Sequence, residues 1–242
     1  MLPVGFLKKL ITNEDGTTFE VVAECKCHKE WRVNNTKRRL FENNGFNSSL
    51  FDYDISEYIG AEDSDVKKGR VSKYIEQFLN NNQKVRSAIV YFYGPNGTQK
   101  TTVSHYIGSQ LVKNGLDCRY VSFKNLIDIL WKSQRDETFI DDVEHYTNCD
   151  LLIIDESFDS TKAHIWKSGA QIGVIDDFIR KRLILQKGIV FISNIQIDNI
   201  STDLFGKSLV DLIKRETHLK NSILTFGDKY VSLIGLPPED LF

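Results

Sequence analysis

The chain has 242 residues, with 31 Lys and Arg against 33 Asp and Glu, a formal net charge of −2. That length predicts one large domain, or one domain with a small appendage, and the near-neutral balance excludes a histone-like or ribosomal-type polycation. A hydrophobic share of 41% and a charged share of 26% predict a globular protein with a substantial core, on which any nucleic-acid surface is a local patch.

In chain order, Met1–Ile11 (MLPVGFLKKLI) is too short for a secretory core and is followed by no small-residue cleavage site, so no targeting segment is expected. No run of 18 apolar residues is present to span a membrane. Residues 1–60 read as irregular, with turn signals at Glu14-Asp15-Gly16, Asn43-Asn44-Gly45 and Asn47-Ser48-Ser49. Between these, Thr17–Ala23 reads as a short strand rich in β-branched residues. Lys26–Arg39 carries six basic residues against one acidic. Asp65–Leu79 predicts an amphipathic helix from Val71, Tyr74, Ile75, Phe78 and Leu79, and Asn80–Gln83 ends it. The composition shift places a boundary near residues 60–66, giving a small N-terminal region over 1–62 and a main domain over 63–242.

From Ser87 onward, short continuous apolar runs alternate with helical patterns. Ala88–Tyr93, Cys118–Phe123, Leu151–Ile154 and Ile189–Ile192 suit strands covered on both faces. Thr101–Lys113, Leu126–Ser133 and Gln171–Leu185 predict the intervening helices. The alternation predicts an α/β fold, a doubly wound parallel sheet with right-handed crossovers and helices on both faces. Cys25, Cys27, Cys118 and Cys149 form no disulfide framework, which predicts a reducing cytoplasm. His28, His105, His145, His164 and His218 show neither metal-ligand spacing nor a nucleophile partner.

Gly94-Pro95-Asn96-Gly97-Thr98-Gln99-Lys100-Thr101 follows the first buried strand and opens a helix, the setting in which a phosphate-binding loop is credible. Its backbone N–H groups and the helix N-terminus would bind the phosphates of ATP, with Thr102 continuing the first turn. Lys100 is expected to face solvent and supply a point charge, and Thr101 to ligate Mg²⁺. Gln99 stands where the pattern expects glycine. Leu151–Glu156 ends an apolar strand in two carboxylates, which resembles the strand that lies beside the first in P-loop ATPases. Asp155 would hold the Mg²⁺ and Glu156 would act as general base on the attacking water. Ile189–Asn194 ends in Asn194, which would orient that water; capping the next turn is the alternative role for it.

This order of phosphate loop, acidic strand and polar-tipped strand resembles the AAA+ ATPases. Within them it is most similar to the DnaC/DnaI/IstB group of bacterial replicative-helicase loaders and transposition ATPases, over about residues 19–230. Outside the loop, the resemblance rests on Val22–Cys27, Arg38-Arg39-Leu40, Asn44-Gly45-Phe46, and the pattern of Tyr120–Phe123 with Leu126 and Leu130. It implies a five-stranded sheet and weak ATP hydrolysis by the isolated chain. The implied partners are the replicative hexameric DNA helicase, single-stranded DNA and further copies of the chain, with no membrane, in the cytoplasm of a bacterial host. The Asn-, Lys- and Ile-rich usage and the short N-terminal region suggest a phage or mobile-element version.

The group's N-terminal zinc ribbon is reduced here to Cys25, Cys27 and His28, so zinc is not expected. The places of its trans-acting arginines fall on Ser208 and Leu212, leaving Arg215 as the candidate finger. Lys29, Trp31, Arg32, Lys37, Arg38 and Arg39 form either a single-stranded DNA contact or a solvated helix face around a small local core. In the DNA reading, the arginines are solvated and contribute little to stability. The rival functions are an IstB-like transposition ATPase on duplex DNA, and a non-hydrolysing module that captures the helicase.

Overall fold

The computed structural model describes residues 6–59, 64–159 and 169–227. The chain opens with β1 (Phe6–Thr12) and β2 (Thr18–Glu24), an antiparallel hairpin registered from Phe6 opposite Glu24 to Thr12 opposite Thr18. The 18-residue helix α1 (Lys26–Asn43) follows, capped by Cys25, whose Sγ accepts from the His28 N–H. The N-terminal region is therefore more regular than its sequence suggests. The reason is burial: no residue of the hairpin is buried, and Phe41 is the one buried residue of α1. Neither element carries the apolar stripe by which a helix or strand is recognised.

Next come α2 (Ser64–Leu79), burying Val71, Ile75 and Phe78, and the short α3 (Gln83–Arg86), capped by the Asn82 side chain. The alternating part consists of β3 (Ile89–Tyr93), α4 (Lys100–Lys113), β4 (Cys118–Ser122), α5 (Phe123–Lys132), α6 (Ile140–Asn148), β5 (Leu151–Asp155), α7 (Gly169–Ile184) and β6 (Gly188–Ser193). It closes with α8 (Thr202–Phe205), α9 (Lys207–Leu219) and the three-residue β7 (Ile223–Thr225). The predicted boundary near residue 62 falls among residues 60–63, outside those described.

The five core strands are all parallel, in the order β4-β5-β6-β3-β7. The acidic strand β5 is thus not beside β3, as the resemblance to P-loop ATPases implied; β6 lies between them. Chain order fixes neither neighbour, because each crossover helix can carry the chain past a strand position filled later. Alternate residues face opposite helical layers. Ile89, Tyr91, Leu152, Ile154 and Phe191 pack with side chains of α5, α7 and α9. Val90, Phe92, Ile153, Val190 and Ile192 pack with those of α2 and α4. Phe41, Phe46 and Phe51 belong to that second core, so the end of α1 and the loop after it seat on the main sheet.

Arg182 of α7 is fully buried. Its guanidinium donates to the carbonyls of Tyr146, Thr147, Cys149 and Gly188, tying α7 to the end of α6 and the start of β6.

Candidate nucleotide-binding site

A cleft of about 340 Å³ lies at the C-terminal ends of β3, β5 and β6, lined by residues 96–102 together with Asp155, Glu156, Ser193 and Asn194. The loop leaves β3 at Gly94, where an added Cβ would stand 2.0 Å from the Phe226 carbonyl oxygen. Only glycine lets the two backbones pass. Gln99 has φ 62° and ψ 16°, the left-handed conformation that glycine adopts without a Cβ clash, and its Nε2 donates to the Ile59 carbonyl at 3.2 Å.

Lys100 does not face solvent. It is buried, and Nζ donates to the carbonyls of Gly94 (2.7 Å) and Pro95 (2.6 Å) and to Thr98 Oγ1 (3.2 Å). The ammonium folds back because these loop oxygens converge on it. Burial pulls its pKa down to about 8, against the opposing pull of the Asp155 carboxylate.

Asp155 is the hub of the acidic end. Its Oδ2 accepts from Thr101 Oγ1 (2.8 Å) and from the Tyr120 hydroxyl (2.6 Å), and its Oδ1 accepts from the Glu156 N–H (2.6 Å). Burial and the Asp155 charge push the Tyr120 hydroxyl well above its ordinary range, so it stays a donor. Glu156 takes a left-handed φ of 54° at the strand end, where it lines the cleft. Asn194 Nδ2 donates to Asn96 Oδ1 at 2.8 Å across the mouth, bridging β6 and the loop. Burial pushes the His105 pKa down, so the ring is neutral at pH 7 and its Nδ1–H donates to the Thr101 carbonyl at 2.8 Å.

The cleft thus gathers Lys100, Thr101, Thr102, Asp155, Glu156 and Asn194. Sequence reasoning missed Tyr120 and His105 as parts of this site: Tyr120 entered only through the strand pattern of the resemblance, with no role assigned, and each reaches the site only through the fold. Arg215 of α9 is exposed, next to Glu216, and does not line its own chain's cleft. The basic run of α1 divides in two. Lys37 donates to the Lys113 carbonyl, and Arg38 to Asp52 and the Ser48 carbonyl while lying over the Phe51 ring. Arg38 is therefore half-buried and held by the main body, not freely solvated. Lys29, Trp31, Arg32 and Arg39 are exposed, and Trp31 stacks on His28. His164 lies outside the described residues.

The donor set fits a nucleotide with its cation. Thr101 Oγ1 and Asp155 Oδ2 stand 2.8 Å apart, close to the ~2.9 Å between adjacent oxygens of an octahedral Mg²⁺ with bonds of about 2.05 Å. The helix α4 points its N-terminus at the cleft, where unpaired N–H groups favour phosphate.

The fold recurs in replication proteins. The DnaC helicase loader superposes with a TM-score of 0.54 and 18% identity, over 75% of this chain and 100% of that one. DnaI gives 0.55 and 13%, over 77% and 94%. The replication initiator DnaA bound to AMPPCP and single-stranded DNA gives 0.57 and 17%, over 72% and 49%, so the matched region is about half of that protein. No curated protein matches this chain in sequence. These likenesses establish the AAA+ P-loop fold, an α/β fold with a five-stranded parallel sheet flanked by helices. The pattern of the family described as IstB-like ATP binding protein matches residues 18–219. With that match spanning most of its length, the chain belongs to the IstB-like ATP-binding proteins.

Proposed function

We propose that this chain is an ATP-hydrolysing loader that binds the replicative hexameric helicase and places it on single-stranded DNA during replication. The observation that carries the reading is the convergence of Lys100, Thr101, Asp155, Glu156 and Asn194 on one open cleft. The near-complete coverage of DnaC and DnaI by this fold supports it.

In this reading, the loop N–H groups of residues 96–101 and the N-terminus of α4 bind the ATP phosphates. Lys100 exchanges the Gly94 and Pro95 carbonyls for a terminal phosphate oxygen. Thr101 and Asp155 hold Mg²⁺, which when bound neutralises phosphate charge. Glu156 accepts the proton of the attacking water. Asn194 turns from Asn96 to orient that water. In a homo-oligomer, Arg215 reaches the ATP of the neighbouring copy. Lys29, Arg32 and Arg39 share the face of α1 opposite Phe41, and with Trp31 they form the single-stranded DNA contact, the arginines and lysine on phosphates and the indole on a base. The exposed hairpin contacts the helicase.

The family match favours a second reading, an IstB-like transposition ATPase on duplex DNA. Fluorescence anisotropy with single-stranded and duplex oligonucleotides, with and without ATP, separates the two when paired with co-elution on the replicative helicase. A helicase complex and preference for single strands are expected. ATP-dependent filaments on duplex DNA with no helicase complex would overturn the loader in favour of the transposition reading.

A further inference from the structure

The end of α1 is docked against the same strand that carries Tyr120. Asn44 closes α1, is buried, and donates through Nδ2 to the Cys118 carbonyl (2.9 Å) and to Asp117 Oδ1 (3.2 Å). Its own carbonyl accepts the Tyr120 N–H at 2.9 Å. The chain therefore adds a short stretch of backbone pairing to β4, the edge strand of the sheet. Gly45 makes this approach feasible: it has φ 92°, and a Cβ there would stand 2.3 Å from the Tyr120 carbonyl oxygen. Phe46 then inserts between β4 and α4, edge-on to His105 with centroids 5.3 Å apart, while His105 packs on Tyr120 at 4.7 Å.

Tyr120 consequently has two attachments. Its backbone is held by the seat of α1, and its hydroxyl is held by Asp155 Oδ2, the oxygen that also accepts from Thr101. His105 buttresses the arrangement from the other side through the Thr101 carbonyl. A carboxylate with both oxygens engaged has one orientation, and second-layer hydrogen bonds of this kind set how well a ligand meets its cation. A shift of α1 along β4 would move the Tyr120 backbone and, through the phenol, the Asp155 carboxylate.

We propose that Tyr120 is a positioning residue for the Mg²⁺-holding carboxylate Asp155, and that Asn44 and Gly45 tie it to the seat of α1. The inference rests on the nucleotide-site reading above and adds a route by which anything gripping α1 reaches the site. No motif contains this pair: Asn44 and Tyr120 are 76 positions apart and meet only across the β4 edge.

The test measures binding of a fluorescent ATP analogue to the full chain, in EDTA and across a Mg²⁺ titration, for the parent, Tyr120→Phe and Asn44→Ala. Tyr120→Phe removes one oxygen and keeps the ring packing. It should leave binding in EDTA unchanged and raise the Mg²⁺ midpoint by about 10-fold, the lower end of the usual cost of losing a second-layer partner. Asn44→Ala should shift the midpoint in the same direction by less, and the double variant should add little beyond Tyr120→Phe alone. Should Asn44→Ala fail to fold, Asn44→Ser, which also removes the Nδ2 bonds to Cys118 and Asp117 while keeping a polar side chain at the buried site, takes its place. An unchanged Mg²⁺ midpoint in Tyr120→Phe would overturn the positioning role while leaving the nucleotide site intact. A shift in Tyr120→Phe with none in the Asn44 variant would overturn the tie to α1. A parent chain that binds no analogue at any Mg²⁺ concentration would overturn the nucleotide-site reading and this inference with it.

Discussion

The β1–β2 hairpin and the central strands β5 and β6 are both held by backbone hydrogen bonds, antiparallel in the one and parallel in the other, but in opposite surroundings. Every residue of β5 and β6 is buried, and none of the hairpin is. Each apolar side chain fully buried in the centre contributes about 1.5–3 kcal/mol of transfer free energy. The hairpin gains almost none of this, and a two-stranded hairpin is marginal on its own in water. Leu10 and Val22 remain 71% and 54% exposed, and Trp31 on the neighbouring helix 60%. The difference teaches that the buried stability and the candidate ATP site reside in the sheet, while the N-terminal elements stay exposed.

The strongest way to sharpen that contrast is chemical. Glu156→Gln keeps size and removes the base, so hydrolysis measured by phosphate release should fall about 10²–10⁴-fold, while ATP binding persists. Unchanged hydrolysis would make the acidic strand end purely structural. The next effect is on stability. Arg182→Ala leaves four carbonyls without their buried donor and should cost about 3–5 kcal/mol in urea unfolding. Leu10→Ser in the hairpin should stay within about 0.5 kcal/mol. Equal losses at both positions would break the comparison.

Changing Lys29, Arg32 and Arg39 together to Ala should lower the slope of log affinity for single-stranded DNA against log salt by about 2, at roughly 0.7 per phosphate. Stability should barely move, since exposed charges contribute little. An unchanged slope would make this face a plain solvated one. The smallest effect is expected at Gln99→Gly. Relief of the left-handed backbone is worth about 1–2 kcal/mol, and the freer unfolded chain takes back about 0.4–1 kcal/mol. Loss of the bond to the Ile59 carbonyl offsets part of the remainder. A net gain of under about 1 kcal/mol in thermal unfolding is predicted, and a clear loss would show that the tether to residue 59 outweighs the strain.

The central strands were legible because each is a continuous apolar run, as Leu151–Ile154 and Ile189–Ile192 show. The three-residue β7 and the polar-faced α6 offer no such run and escape sequence reading. In the hairpin, β2 was legible from its β-branched run, whereas β1 and the full length of α1 escape it, since exposure removes the period that marks an element. The phosphate loop, Asp155-Glu156 and Asn194 were legible because their chemistry is contiguous in the chain. The inward turn of Lys100 was not, because it depends on carbonyls that converge only in the folded loop. Tyr120, His105 and the insertion of β6 between β3 and β5 share that character: each is a product of tertiary neighbours rather than of local sequence.

The central claim is that the cleft binds ATP through Lys100, and calorimetric titration with Mg-ATP at pH 7 and pH 9 tests it most directly. A lysine whose pKa lies at about 8 is charged below that pH and loses its proton above it. Phosphate favours the ammonium, so affinity should fall as pH rises through 8, with proton uptake on binding there. Lys100→Ala should weaken binding at pH 7 by about 10–100-fold, the worth of a hydrogen bond to a charged group, and should remove the pH dependence. Equal affinity for parent and variant at both pH values would contradict the account.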